Sequence, residues 1–336
     1  MQFKLLAAAI LATLPLVASA QSTVTIYGLV DAAVAREDNG APNGSRTVLN
    51  SGNQSTSRFG FRGVEDIGSG LKASFNLEGG INIDTGAGDT ALFGRRAVVG
   101  LQGNFGSVML GREYTPIADV AKESDIFGQG FYGTNLSAFG TGRLTRRISN
   151  SVNYKSMMMS GFRVAAAYGA GEALTGPSLD LMGFSADYTI GNFYVGAGYH
   201  TVERLTVGDD KEMIVGAGYK MGAFAIKGNY MVADLTGANN KYEQANLGAS
   251  MNSGANTFYA NFQQQKLEGG AKGNTVALVY AYAFSKRTNV YASYARLSNN
   301  ATGRFGITSS GTALNPPAAN PGADPSNLSV GVRHSF

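Results

Sequence analysis

Along much of this chain hydrophobic and polar residues alternate one by one. In the stretch 71–84, Leu71, Ala73, Phe75, Leu77, Gly79, Ile81 and Ile83 take one parity, and Lys72, Ser74, Asn76, Glu78, Gly80, Asn82 and Asp84 the other. A period of two belongs to a β-strand, which sends successive side chains to opposite faces; a helix repeats every three to four residues. Fourteen residues at ~3.3 Å each span about 46 Å, well beyond the usual strand of five or six residues. The opening "STVTIYGLVDAAVA" aligns Val24, Ile26, Gly28, Val30, Ala32 and Val34, and "TVALVYAYAFS" aligns Val276, Leu278, Tyr280, Tyr282 and Phe284. The last segment, "SNLSVGVRHSF", keeps Leu328, Val330, Val332, His334 and Phe336 on one face up to its final residue.

Turn signals divide the rest into similar pieces. Tight turns are expected at 65–70, 103–107, 158–162, 189–193, 219–223, 251–255 and 284–288. Longer polar connections are expected at 37–54, 85–90, 114–146, 172–178, 205–210, 235–241, 268–272 and 299–325. Seven short and eight long connections alternate, which gives sixteen strands with both ends of the chain on the short-turn side. An even number of alternating segments of about ten residues, with short turns on one side and long loops on the other, is the pattern of an outer-membrane barrel. The fold class expected is therefore all-β, a 16-stranded antiparallel transmembrane β-barrel. Such a barrel must pair its last strand with its first, because hydrocarbon does not tolerate an unpaired edge. That requirement explains a final strand that stays apolar on one face to Phe336.

Composition sharpens this picture. Residues 1–20, "MQFKLLAAAILATLPLVASA", combine Lys4, an apolar stretch from Leu5 to Leu16 and the small residues Ala18-Ser19-Ala20. They are expected to be a secretory signal peptide, with 21–336 as a single barrel domain. Removal of Lys4 takes the formal charge from +4 to +3. The chain has no cysteine, so neither disulfides nor thiolate chemistry is available; an exported chain of this size then depends on a fully paired sheet. After residue 20 no apolar run approaches the ~18 residues of a transmembrane helix.

Six stretches carry a resemblance: "TVTIYGLVDAAV", "SRFGFRGVEDIGSGLKASFNLE", "RRAVVGLQGNFGSVMLGREYTP", "SNSVNYKS", "AFSKRTNVYASYA" and "GVRHSF". Together, and in this order, the chain resembles the Gram-negative general porins, in particular the branch typical of Burkholderia and Neisseria. The resemblance implies a homotrimer in the outer membrane, in contact with lipid and lipopolysaccharide, that lets ions and small hydrophilic solutes diffuse passively. It also implies a third external loop folded into the lumen against a wall of arginines, and a C-terminal aromatic, Phe336, read by the barrel-assembly machinery. No cofactor and no nucleic-acid partner is implied. With no Trp in the chain, the interfacial aromatic girdles must be Tyr and Phe.

A pore of this kind selects by size and by the charges at its narrowest point. The longest connection, 114–146, brings Asp119, Glu123 and Asp125 as the expected loop acids. For the basic wall, Phe59 and Phe61 on the lipid parity send Arg58 and Arg62 inward, because a lipid-facing Arg at mid-depth costs ~2–4 kcal/mol. Ala97, Val99 and Leu101 outward leave Arg96 inward, with Arg95 near the strand end. Arg147 shares its parity with Ser149, Ser151, Asn153 and Lys155. Arg112 groups by alternation with Val108 and Leu110, toward lipid, yet the resemblance at "GREYTP" places it on the constriction; Gly111 could supply the bulge that re-aims it. Lys72 is the remaining candidate, carried by the resemblance. The wall of arginines suggests a weak preference for anions.

Other functions find little support. "GQGFYG" at 128–133 fits the G-x-G-x-x-G pattern, but no strand–turn–helix frames it, so its glycines are read as turn and close-contact residues. Only His200 and His334 could serve acid–base or metal chemistry, and neither has a spaced partner, so both are read as surface groups and the protein as a channel with no catalytic or metal site. Loops 37–54 and 299–325 are expected to be exposed and open to external ligands. A substrate-specific channel would need a long row of one charge sign or stacked aromatics along the lumen, and the sequence shows a local cluster instead.

Overall fold

A computed structural model describes residues 23–140, 143–203, 208–237 and 241–336. The segment expected to be the signal peptide lies outside them. The strands are β1 (Thr23–Asp38), β2 (Ser45–Ser51), β3 (Arg58–Gly68), β4 (Leu71–Gly80), β5 (Arg96–Gly103), β6 (Gly106–Tyr114), β7 (Arg147–Lys155), β8 (Phe162–Gly169), β9 (Leu181–Ile190) and β10 (Phe193–Val202). They continue with β11 (Asp210–Met221), β12 (Phe224–Asp234), β13 (Tyr242–Ser253), β14 (Asn256–Leu267), β15 (Lys272–Ala283) and β16 (Thr288–Asn299). Two short strands, β17 (Ile307–Thr308) and β18 (Ala313–Leu314), form a separate ribbon before β19 (Ser326–Ser335).

Neighbours pair antiparallel throughout, and β19 pairs both β16 and β1, which closes the sheet. The second crossing is split: β2 pairs the upper half of β1 and β3 the lower half. Counted as one crossing, they make the closed barrel sixteen-stranded. The expected first loop 37–54 thus contains a strand, and the chain leaves the wall only at 39–44 and 52–57. At the second break the amides of Gln54 and Ser55 both donate to Asp31 Oδ2, at 2.8 and 2.5 Å, which draws the segment toward the buried Asp31.

The tight turns are as short as two residues. Gly222 and Gly254 sit there at φ +58° and +60°, the left-handed region that glycine enters without a Cβ clash. Outward positions are apolar and exposed, as with Val24, Ile26 and Val34 on β1 and Leu328, Val330 and Val332 on β19. The strand expected over 71–84 stops at Gly80. There the Gly80 amide donates to Asp89 Oδ2 and the Ile81 amide to the Ser57 carbonyl, so the chain turns off the wall.

A sixteen-stranded ring is too wide for its own side chains to fill. The hydrophobic core lies inside it and is built by loops. Ile117, Val120, Phe127, Phe131 and Leu144 of the 115–146 segment pack on Ile214, Met231, Tyr242, Val279 and Tyr291 of the inner wall. Phe305, Ile307 and Leu314 of the 300–325 segment join the same cluster. That segment is therefore folded into the barrel mouth rather than standing exposed, and its apolar residues, spaced among Pro, Gly and Asn, are what bury it.

Candidate functional site

The 115–146 segment opens with helix α1 (Pro116–Glu123). Pro116 at the first position suits a helix start, and Asp119 and Lys122 lie at the ends that the helix dipole favours. Ile117, Val120 and Ala121, at i, i+3 and i+4, form its buried stripe. The inner wall then holds the loop by side-chain amides. Asn229 donates to the Ser124 carbonyl (3.1 Å), Asn261 to Gly133 (2.7 Å), Gln263 to Thr134 (2.6 Å) and Gln244 to Asn135 (3.1 Å). Gly128 and Gly133 adopt φ +59° and +89°, and a Cβ on Gly133 would lie 2.9 Å from the Ala277 Cβ. The glycines of "GQGFYG" are thus turn and close-contact residues.

His200 anchors the near end of the loop. It is fully buried; its Nε2 accepts from the Ile117 amide at 3.3 Å and its Nδ1 lies 3.5 Å from Glu212 Oε2. Glu212, also buried, accepts from the Thr145 amide and hydroxyl, both at 2.7 Å. The surface reading of His200 is therefore overturned, because the loop covers it. His334 does face outward and is exposed, with Nδ1 2.9 Å from Thr288 Oγ1.

Below the loop a cavity of about 610 Å³ is lined by Arg58, Arg95, Arg96, Arg146 and Arg333, by Lys122 and Lys155, and by only three acids, Glu78, Glu113 and Asp119. Glu78 lies between two arginines, 2.7 Å from Arg95 and 3.5 Å from Arg58. Arg96 Nε donates to Glu113 at 2.7 Å, and Lys155 pairs with Asp119. Arg146 donates to Gln129 Oε1 at 2.9 Å and Arg333 to Ser55 Oγ at 3.0 Å; neither has a carboxylate partner among the described residues. Burial, with Arg147, Arg95 and Arg58 nearby, pushes Arg146 down to about 9, which still leaves it cationic at neutral pH.

On the other side of the loop, Arg112, Arg143, Arg146 and Arg147 line an outer vestibule that contains no acid. Arg112 reaches it through a bulge. The ladder register shifts between Gly111 and Glu113, Gly111 has φ +124°, and the guanidinium donates to the Gly94 carbonyl (2.7 Å) and Ser149 Oγ (2.8 Å). The same irregularity overturns the parity expected for Arg147. Gly111 faces Ser151 while Glu113 faces Ile148, so Ser149 and Asn150 interrupt the alternation, and Ile148 is buried. Arg147 itself donates to the Tyr114 hydroxyl at 2.7 Å.

Of the other candidates, Arg62 does not line the cavity but stacks, at 5.0 Å, over the ring of Tyr27, which does. Lys72 is exposed beside the tight turn at 69–70, away from the narrow section. Among the loop acids only Asp119 lines the cavity. Glu123 is exposed outside it, and Asp125 is buried within the loop, accepting from the Gln129 amide (2.8 Å) and the Thr134 hydroxyl, where burial raises its pKa. The acids that oppose the arginines are Glu78 and Glu113 on the wall. Inward parity already exposed Glu78, but alternation names a face and not a partner. Among the described residues no group of His, Cys, Asp and Glu is arranged to hold a metal ion.

A family profile described as Gram-negative porin matches residues 7–302. The chain belongs to the Gram-negative porin family. The outer membrane porin protein 32 of Delftia acidovorans is 33% identical over 340 residues, covering 95% of each chain. The major outer membrane protein P.IB of Neisseria meningitidis serogroup A is 27% identical over 93% of this porin and 98% of its own length. Among solved structures, the anion-selective porin from Comamonas acidovorans superposes with a TM-score of 0.81 at 29% identity, over 94% of this chain and all (100%) of that one. OmpT of Vibrio cholerae in its trimer form gives 0.70 at 21% identity, over 94% and 99%, which is a likeness of fold. This porin is an outer-membrane barrel for passive diffusion of small hydrophilic solutes, and Arg146 lines both the cavity beneath the 115–146 loop and the vestibule.

Proposed function

We propose that this porin is a general diffusion channel with a weak preference for anions, set by Arg58, Arg95, Arg96 and Arg146 below the loop and by Arg112, Arg143 and Arg147 above it. The observation that carries this reading is the charge count. Seven basic side chains line the cavity against three acids, and four arginines line the vestibule against none. An excess of one sign in a narrow, low-dielectric passage raises the local concentration of the opposite ion. Arginine suits the task because it keeps its proton at neutral pH even when partly buried. The name of the Comamonas porin supports the same sign. We further propose a homotrimer embedded among lipid and lipopolysaccharide, inserted by the barrel-assembly machinery through Phe336.

The test is the zero-current potential of the purified protein in a planar bilayer under a salt gradient. An anion-signed potential is expected, and Arg146→Gln should move it toward zero. A cation-signed potential would mean that Glu78, Glu113 and Asp119 dominate the narrow section, and the reading would fail.

A further inference from the structure

The outer wall is not uniformly filled. On the tight-turn half of β13–β16 a groove of about 610 Å³ is cut into the apolar surface. Its floor is low where Ala249 and Ala260 face each other across β13–β14, Leu278 continues that row on β15, and Ala292 lies one row nearer the turns, opposite Tyr280. Its rim is made of rings. Phe258 and Tyr280 are a cross-strand pair with centroids 5.1 Å apart, and Tyr294 stands one row higher. The Tyr280 hydroxyl donates to Asn256 Oδ1 at 2.8 Å, beside the β13–β14 turn. A ring buried in apolar surface with its hydroxyl turned to the strand end marks a membrane boundary at that level.

The same hairpin ends in a basic corner. Lys286 and Arg287 are adjacent and exposed at the tip of the β15–β16 turn, and neither has a carboxylate partner among the described residues. Arg287 accepts at its carbonyl from the Ser335 amide, which fixes the tip against β19. Four residue steps take the strand from Tyr280 to Phe284, the start of the tip, a distance of about 13 Å. A cationic pair at the boundary with an apolar slot beginning about one strand-turn deeper has the spacing of a lipid head and tail.

We propose that this groove and corner form a seat for one anionic glycerophospholipid of the periplasmic leaflet, its phosphate on Lys286 and Arg287 and an acyl chain lying over Ala249, Ala260 and Leu278. Short turns of outer-membrane barrels face the periplasm, which selects that leaflet. Two cations with no carboxylate partner among the described residues select a net negative headgroup over a zwitterionic one. The volume falls within the range of sites that hold a single ligand chain, and the small Ala249 and Ala260 set among the rings of Phe258, Tyr280 and Tyr294 distinguish the seat from ordinary annular contact.

The experiment is native mass spectrometry of the full barrel released from detergent after incubation with equimolar phosphatidylglycerol and phosphatidylcholine. One phosphatidylglycerol is expected to be retained per chain, with retention falling at least about threefold in the K286A/R287A pair and in A260F, which fills the slot. Folding is checked by heat-dependent migration on gels, and single-channel conductance should be unchanged because none of these residues faces the lumen. Equal retention of both lipids, or no change in either variant, would overturn the seat. So would disulfide formation between copies carrying Ala260→Cys, since the groove would then be covered by a second copy of the chain.

Discussion

The arginines of the narrow section are not equivalent, and their partners decide how much field each contributes. Arg95 and Arg58 share Glu78, and Arg96 has Glu113, so much of their charge is offset locally. Among the described residues Arg146 and Arg333 donate to neutral partners, Gln129 and Ser55, and project their charge into the passage. Glu78→Gln should therefore increase anion preference, because it releases one positive charge while Gln still accepts from Arg95. The reversal potential should move further to the anion side by a few-fold in permeability ratio. The stability cost should stay well below the ~3–5 kcal/mol of stripping a partner from a buried ion pair, checked by the midpoint of thermal unfolding in detergent. Bilayer recordings that show no shift would mean Arg58 and Arg95 are already fully screened. At this scale the sequence discloses facing and little else. Inward parity groups Arg58 and Arg96, both of which line the cavity, but it cannot separate Asp119, which reaches the cavity, from Asp125, which burial turns into a staple within the loop. Arg146, one residue before β7, and Arg95, one before β5, escaped because alternation is defined only inside strands.

Among the elements, the loop is the one whose position needs explaining, because a polar segment of this length could as well lie outside. It is tied at both ends to one pair of wall residues. His200 and Glu212 are cross-strand partners on β10 and β11; His200 receives the Ile117 amide and Glu212 the Thr145 amide. His200→Ala should leave the Ile117 amide unsatisfied, at a cost of about 1–3 kcal/mol for a buried donor, and loosen the loop. The expected readout is an increase in open-channel current noise and sub-states with the barrel still folded. Gly183→Ala should act through the same group, because its Cβ would lie 2.2 Å from His200 Cδ2. If both variants give quiet channels, the amides of Asn229, Gln244, Asn261 and Gln263 are holding the loop unaided. Those amides were a signal open to sequence reading: they recur at inward parity on β12, β13 and β14, where a water-filled wall has no particular need of them. The strands themselves were legible because lipid on one side and water or loop on the other enforce a period of two. What alternation misses are its interruptions, at Gly80, at 52–57 and at Gly111, each accompanied by contacts to a nearby loop or the neighbouring strand that the pattern does not encode.

For the whole molecule the decisive event is closure, and it ends at one small contact. Phe336 pairs backbone to backbone with Gly28, with N–O distances of 3.0 and 3.1 Å. A Cβ on Gly28 would meet the Phe336 ring at 2.5 Å and the Arg58 carbonyl at 2.7 Å. The terminal ring thus lies across the one position of β1 that has no side chain, and outward parity alone could not have distinguished this glycine from the apolar residues around it. Gly28→Ala should slow or reduce closure. Refolding of urea-unfolded protein into detergent micelles isolates this step from any assembly machinery, and the folded fraction is read from heat-dependent gel migration. The two close contacts can then be separated, because the ring can be removed and the carbonyl cannot. If ring crowding dominates, adding Phe336→Ala to Gly28→Ala should restore part of the lost yield, so that the double variant refolds better than the sum of the single effects predicts. If the Arg58 carbonyl dominates, the two losses should simply add. A Gly28→Ala variant that refolds with native yield would show that the seam between β1 and β19 gives way by a few tenths of an ångström, and that the ladder from Leu29 to Asp38 closes the barrel without help from its last residue.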